Sequence, residues 1–261
     1  MPNGGIKFDD DELVAFIIDV ISIAEEDGEN WSDIERNLGL LDFNTYLSDM
    51  SYLYGHEKDD NAFSRSIHRY EDVSGNFHLA MIEIKSLFSR WVTSIDIGEI
   101  SDKISFHNLI CPEEDTFLTF NYTSVLEEVY GALDVKHIHG SQREKIVIGH
   151  RETYRESTQQ YTGSEYSLMK LHDALRKNTE EIIKKEDCFF SSLQNIDKIY
   201  SYGFSFSKVD LPYITEICNR LDTRKIIWYL NNYDSKEKIC AYINAIMDCG
   251  FQGRFSIFRV D

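Results

Sequence analysis

Proline is scarce in this chain of 261 residues, three in all, and no run rich in proline or in glycine and serine interrupts it. Linker composition therefore marks no domain boundary, and boundaries must be read from changes of hydrophobic pattern. Cysteine supplies no scaffold: Cys111, Cys188, Cys218, Cys240 and Cys249 are odd in number, widely spaced and contain no CxxC pair. That excludes a disulfide framework and a four-cysteine zinc module, and fits reduced thiols in a cytoplasmic protein. Long apolar runs are missing too. The most apolar segment, LVAFIIDVISIA (13–24), follows Asp9, Asp10, Asp11 and Glu12 and is interrupted by Asp19. It lacks the basic flank of a signal peptide and the length of a bilayer span, and it reads as a buried helix. Basic residues are few, 27 against 45 acidic, so the formal charge is −18. Such a molecule repels phosphate backbones and anionic headgroups, which argues against membrane association and against general nucleic-acid binding.

What is present is enough for a packed core: 42% of residues are hydrophobic and 13% aromatic. No internal repeat is evident. Residues 9–26, 31–49 with Ser32 in the cap position, and 76–95 carry apolar side chains at helical spacing, while 53–72 is polar and reads as a loop or short helix. From about residue 114 the pattern changes. Short apolar runs at 116–120, 135–139, 145–149, 198–203, 225–230 and 255–260 alternate with helical stretches at 123–131, 164–185, 208–221 and 235–249. Alternation of this kind predicts an α/β fold with a doubly wound, mainly parallel sheet. Residues 1–110 are expected to form a helical region packing on or capping an α/β core of residues 111–261.

Open parallel sheets gather ligands at the carboxyl ends of their strands, and three segments put polar residues there. In TFNYTS (119–124), Asn121 follows an apolar strand and Thr123 stands where it can cap the next helix. A side-chain amide there can hold a ribose hydroxyl or a water, although a lone Asn also serves simply to shape a turn. In VKHIHG (135–140), His137 and His139 are two apart on an expected strand, so both project from one face, and Gly140 permits a tight turn or a ligand's close approach. A neutral histidine can act as general base, and each can equally be a hydrogen-bonded structural residue. The spacing also admits a metal site with His150 as third ligand, but no carboxylate stands at a characteristic distance, and no bound metal is expected. In YGFSFSKVD (202–210), Gly203 ends a strand and Ser205, Ser207 and Asp210 surround a helix start. Such a turn suits a diphosphate or ribose; a plain helix cap, with Ser207 at N-cap and Asp210 at the third position, accounts for those two residues alone.

Taken in order, WSDIE (31–35), FLTFNYTSVLEEVYG (117–131), HIHG (137–140) and YGFSFSKVDLPYI (202–214) resemble the AbiH family of phage abortive-infection proteins, which are related to the sirtuin-like, Rossmann-type nucleotide-binding domain. The resemblance runs from about residue 30 onward. It implies NAD as substrate or ligand, with Asn121 positioning the nicotinamide ribose or the attacking water and His139 as general base. It also implies that Gly203 and Ser205 contact the adenosine-side ribose or the diphosphate, and that Gly140, Thr123 and Asp210 complete the NAD-contacting set. Sirtuins often carry an aspartate where Thr123 stands, and the absence of CxxC removes their zinc module, so deacetylase chemistry is not implied. AbiH-like chains open with a strand and a GNGFD-type loop, whereas this one begins MPNGGIKFDDDEL, with Asn3, Gly4 and Gly5 and no apolar strand before them. A shortened relative, or one lacking that element, is the expectation.

The function implied is phage defence, with hydrolysis of NAD at the nicotinamide–ribose bond. The alternatives are a degenerate relative that binds a nucleotide or protein without turnover, and a metal-dependent nuclease built on His137, His139 and His150. A homo-oligomer or a phage-derived trigger protein is the expected partner.

Overall fold

The computed structural model describes residues 9–23, 34–53, 62–154 and 161–260. Ser32, with Trp31 and Asp33 of the WSDIE segment, lies outside them, as do Asn3, Gly4 and Gly5. The chain forms two compact units: Met1–Arg90 with Ile148–Lys177, and Trp91–Val147 with Asn178–Asp261. Residues 148–177 thus join the helical unit, and 91–110 join the unit that holds the strands.

The first unit is helical: α1 (Asp10–Ile23), α2 (Ile34–Asn37), α3 (Asn44–Leu53), α4 (Ala62–Ile82) and α5 (Ile84–Ser94, whose end enters the second unit). Asp9 opens α1 by accepting the backbone N–H groups of Asp11 and Glu12 at 3.0 and 3.3 Å, and the acidic first turn complements the helix dipole. Leu13, Ile17, Val20 and Ile21 lie on one helical stripe and bury against Phe43, Leu47, Met81 and Ile84. Segment 62–72, read from sequence as loop or short helix, belongs to α4. Its apolar stripe was hidden because polar residues cover the rest of that helix.

The second unit contains α6 (Ile104–His107), β1 (Thr116–Thr119), α7 (Val125–Glu128) and β2 (Asp134–His137). The first unit's α8 (Glu165–Ala174) intervenes in sequence. The second unit then continues with α9 (Thr179–Lys185), α10 (Asp187–Ser192), β3 (Lys198–Ser201), α11 (Leu211–Arg220), β4 (Ile227–Asn231), α12 (Lys236–Asp248) and β5 (Arg254–Phe258). The fold is α/β with a helical N-terminal region. Every described strand pair is parallel: β1 with β2, and β3 with β4 with β5. Each crossover runs through a helix, as parallel pairing requires. On β4 the buried residues alternate, Trp228 and Leu230 facing Tyr213, Ile214 and Ile217 of α11 and Ile246 of α12. Burial of each large side chain contributes about 1.5–3 kcal/mol. The Trp228 indole N–H donates to Ser201 Oγ at 2.8 Å, so burial leaves no donor unpaired there.

Two further sequence expectations change in this stretch of the chain. The helix over 164–185 is broken between α8 and α9, because Asn178 caps a new helix by accepting the Glu181 N–H at 3.3 Å. Segment 145–149 forms no strand. Its backbone bonds go to scattered partners, Val147 N–H to His139 C=O and Gly149 N–H to Glu35, and only His150 makes an isolated bridge, to Arg176.

Candidate functional site

Two turns of the second unit are bound to one another. Thr119 accepts the Ile138 N–H through its carbonyl at 3.1 Å and the Asn121 N–H through Oγ1 at 3.1 Å, while the Tyr122 carbonyl accepts the Gln142 N–H at 2.8 Å. Asn121 therefore sits at the carboxyl end of β1 with an anchored backbone and an exposed residue surface. Gly140 follows β2 at φ +81°, and a Cβ there would stand 2.1 Å from the Lys145 carbonyl oxygen, so the turn accepts glycine alone.

His137 and His139 do not share a face. β2 ends at His137, and strand alternation ends with it. The His137 ring lies 2.9 Å from the Asn121 carbonyl through Nδ1 and 2.8 Å from Glu127 Oε1 through Nε2, which occupies both nitrogens. His139 turns into the core, 3% exposed, with Nε2 3.5 Å from Asp210 Oδ1 and its ring packed edge-on to Phe120 and Tyr213. Asp210 is thus paired with the candidate base. It is also the N-cap of α11, which starts at Leu211 with Pro212 in its first turn, rather than the third helical position expected from sequence. Ser207 holds this helix start through its carbonyl, which accepts the N–H groups of Asp210 and Leu211 at 2.8 and 3.2 Å. Likewise α7 starts at Val125 with Ser124 as N-cap, so Thr123 lies one residue outside the capping position.

Beside this cluster a cavity of about 750 Å³ opens at the carboxyl ends of β3, β4 and β5. Gly203 and Phe204 line it from the turn after β3, Asn231 and Asp234 from the end of β4, Arg259 from the end of β5, and Lys103 from the residue before α6. Gly203 is exposed at φ +63°. Ser205, also exposed, is not part of the cavity wall. Phe204 stacks on Phe120 with ring centroids 4.3 Å apart, and Phe120 contacts His139, so the Phe120 ring lies between the cavity-lining Phe204 and the imidazole. Asp234 accepts the Tyr242 hydroxyl at 3.2 Å; burial first, then the Asp234 charge, raises that phenol above its ordinary value. At the turn behind Phe204, Phe206 holds φ +53°, the one non-glycine residue with positive φ among those described.

Sequence reasoning thus placed Asn121, His139, Gly140, Gly203 and Asp210 around one end of the strands. It missed Lys103, Asn231, Asp234 and Arg259. Asn231 and Asp234 follow the apolar run 225–230 as Asn121 follows 116–120, and the same rule would have found them. Lys103 has no such signal.

His150, the third histidine of the metal alternative, belongs to the first unit, where it is fully buried with Nε2 3.0 Å from the His172 carbonyl. Among the described residues no group of three or more His, Cys, Asp or Glu side chains is arranged to hold a metal ion. No helix among them is long and apolar enough to cross a membrane.

The sequence profile of the bacteriophage abortive infection AbiH family matches residues 6–232. No curated protein and no solved structure matches the chain.

Proposed function

Because the chain belongs to the bacteriophage abortive infection AbiH family, we propose that it serves phage defence in the cytoplasm by binding NAD at the carboxyl ends of its strands and hydrolysing the nicotinamide–ribose bond. The observation that carries this reading is the His139–Asp210 pair, with Asn121 on the adjoining turn and a nucleotide-sized cavity alongside. In the reaction the bond from ribose C1′ to the pyridinium nitrogen breaks, and nicotinamide leaves with the electron pair. Water oriented by the Asn121 amide adds to C1′ and gives its proton to His139, whose imidazolium Asp210 stabilises.

One observation favours a second reading, nucleotide binding without turnover. His139 is 3% exposed, and Phe120 and Tyr213 cover its ring. The two readings separate in one assay, nicotinamide release from NAD by the purified chain. Hydrolysis requires that His139→Ala and Asn121→Ala each slow release by roughly two orders of magnitude. Release that both variants leave at the wild-type rate sinks the assigned roles, and NAD bound without release supports the second reading.

A further inference from the structure

We infer that the cavity at the carboxyl ends of β3, β4 and β5 takes an adenine-type base, stacked on the Tyr233 ring and read along its edge by the Asn232 amide. The inference rests on the nucleotide reading of the cavity and is independent of NAD turnover. Tyr233 lies between β4 and α12, lines the cavity and is 88% exposed. Among the described residues its ring packs on no other ring and its hydroxyl makes no hydrogen bond. The backbone around it is nevertheless fixed. The Asn232 N–H donates to the Phe258 carbonyl at 3.1 Å, Asp234 accepts the Tyr242 hydroxyl at 3.2 Å, and Ser235 caps α12 by accepting the Lys238 N–H at 3.3 Å. A large ring is thus presented open from an anchored turn, and stacking on it orders little that is not already ordered. The wall below is aromatic as well: Phe204 lines it, and the buried Phe206 holds that layer from behind, with ring centroids 4.7 Å from Phe204 and 5.1 Å from Tyr242. Phe206 does so at φ +53°, the kind of backbone strain that gathers at ligand sites.

The second observation concerns the neighbouring side chain. Asn232 is exposed and lines the same cavity, and its side-chain amide bonds to nothing among the described residues. An amide offers a donor and an acceptor side by side, the complement of adenine's amino group and adjacent ring nitrogen. Both recognition groups are open to solvent and neither is charged, so the site does not depend on how the ionic groups of the wall balance. A flat π-face suits a base better than a sugar or a phosphate, and about 750 Å³ accommodates a nucleoside. In the hydrolase reading nicotinamide lies at Asn121 and His139. The Phe120 ring stands between that imidazole and the cavity-lining Phe204, so the cavity falls to the dinucleotide's other base.

Calorimetric titration of the full chain with adenosine, with purine riboside, which lacks the amino group, and with ribose 5-phosphate, which lacks the base, tests the assignment. Thermal midpoints confirm that each variant folds. Adenosine should bind more tightly than either of the others. Tyr233→Ala should weaken adenosine by about tenfold or more, while Tyr233→Phe, which keeps the ring, should bind it like wild type. Asn232→Leu should abolish the preference for adenosine over purine riboside. Wild-type protein that binds no adenosine overturns the inference, as does a Tyr233→Ala variant that binds it undiminished. Adenosine binding through Tyr233 without nicotinamide release from NAD would retire the hydrolase reading and leave this site standing; nicotinamide release without adenosine binding would do the opposite.

Discussion

Glu35 closes the WSDIE segment and offers the sharpest test of how the first unit is held. Its carboxylate takes the Lys177 ammonium through both oxygens, at 2.7 and 2.8 Å, and the Gly149 N–H at 3.2 Å. The Lys177 side chain is 0% exposed and that of Glu35 20%. This geometry joins α2 to the two extended segments bridged at His150 and Arg176. Glu35→Ala removes this carboxylate from a buried ammonium, and breaking such a pair costs about 3–5 kcal/mol. Because some water reaches Glu35, the lower figure applies, about 3 kcal/mol, or roughly two orders of magnitude in the folding equilibrium. A domain's whole stability is about 5–15 kcal/mol, so the loss should be conspicuous in urea denaturation followed by circular dichroism. The double variant Glu35→Leu with Lys177→Leu should recover most of it, since an apolar pair of similar volume carries no desolvation cost. A single-variant loss below about 1 kcal/mol, the range of an exposed pair, would refute the reasoning.

Stability should also depend on pH through His150. Burial, and after it the neighbouring His172, lowers its pKa from 6.5 to about 4, and burial lowers that of His172. Above 6.5 both folded and unfolded states hold the ring neutral; between 6.5 and about 4 the unfolded chain takes up a proton that the folded one excludes, so stability falls with pH, by up to roughly 3 kcal/mol. Denaturation at pH 7.5 and 5 should show this slope diminished in His150→Leu, and an unchanged slope would count against it. The glycine turns should differ in tolerance. Gly203→Ala meets no atom within 4 Å and bears only the left-handed backbone, about 1–2 kcal/mol, whereas Gly140→Ala also drives a Cβ into the Lys145 carbonyl and should lower the thermal midpoint far more. Equal midpoints in the two variants would show that the 140–147 turn relaxes freely.

The hydrophobic period of the sequence, with runs at 116–120, 135–139, 198–203, 225–230 and 255–260, was sufficient to find the strands that begin at Thr116, Asp134, Lys198, Ile227 and Arg254, and α11 and α12 between the last three, because a half-buried strand and an amphipathic helix each write their geometry locally. Composition sufficed likewise for the absence of a cysteine scaffold, and motif order for the AbiH relationship. What local pattern could not carry was every feature that depends on a distant partner. The period continued through 164–185, yet the helix breaks where Asn178 starts a new one and the chain bridges His150. His137 and His139 share a sequence spacing, but one is taken by Glu127 and Asn121 and the other by Asp210, 71 residues further along. The cavity assembles Lys103, Asn231 and Arg259 from segments more than a hundred residues apart in sequence at the extremes. Sequence thus determined the five strands and most of the helices, since these follow from the free energy of burying one face. Only the tertiary structure decided which polar groups meet, because a hydrogen bond or ion pair forms between positions that the crossovers bring together, and neither member of the pair records the other.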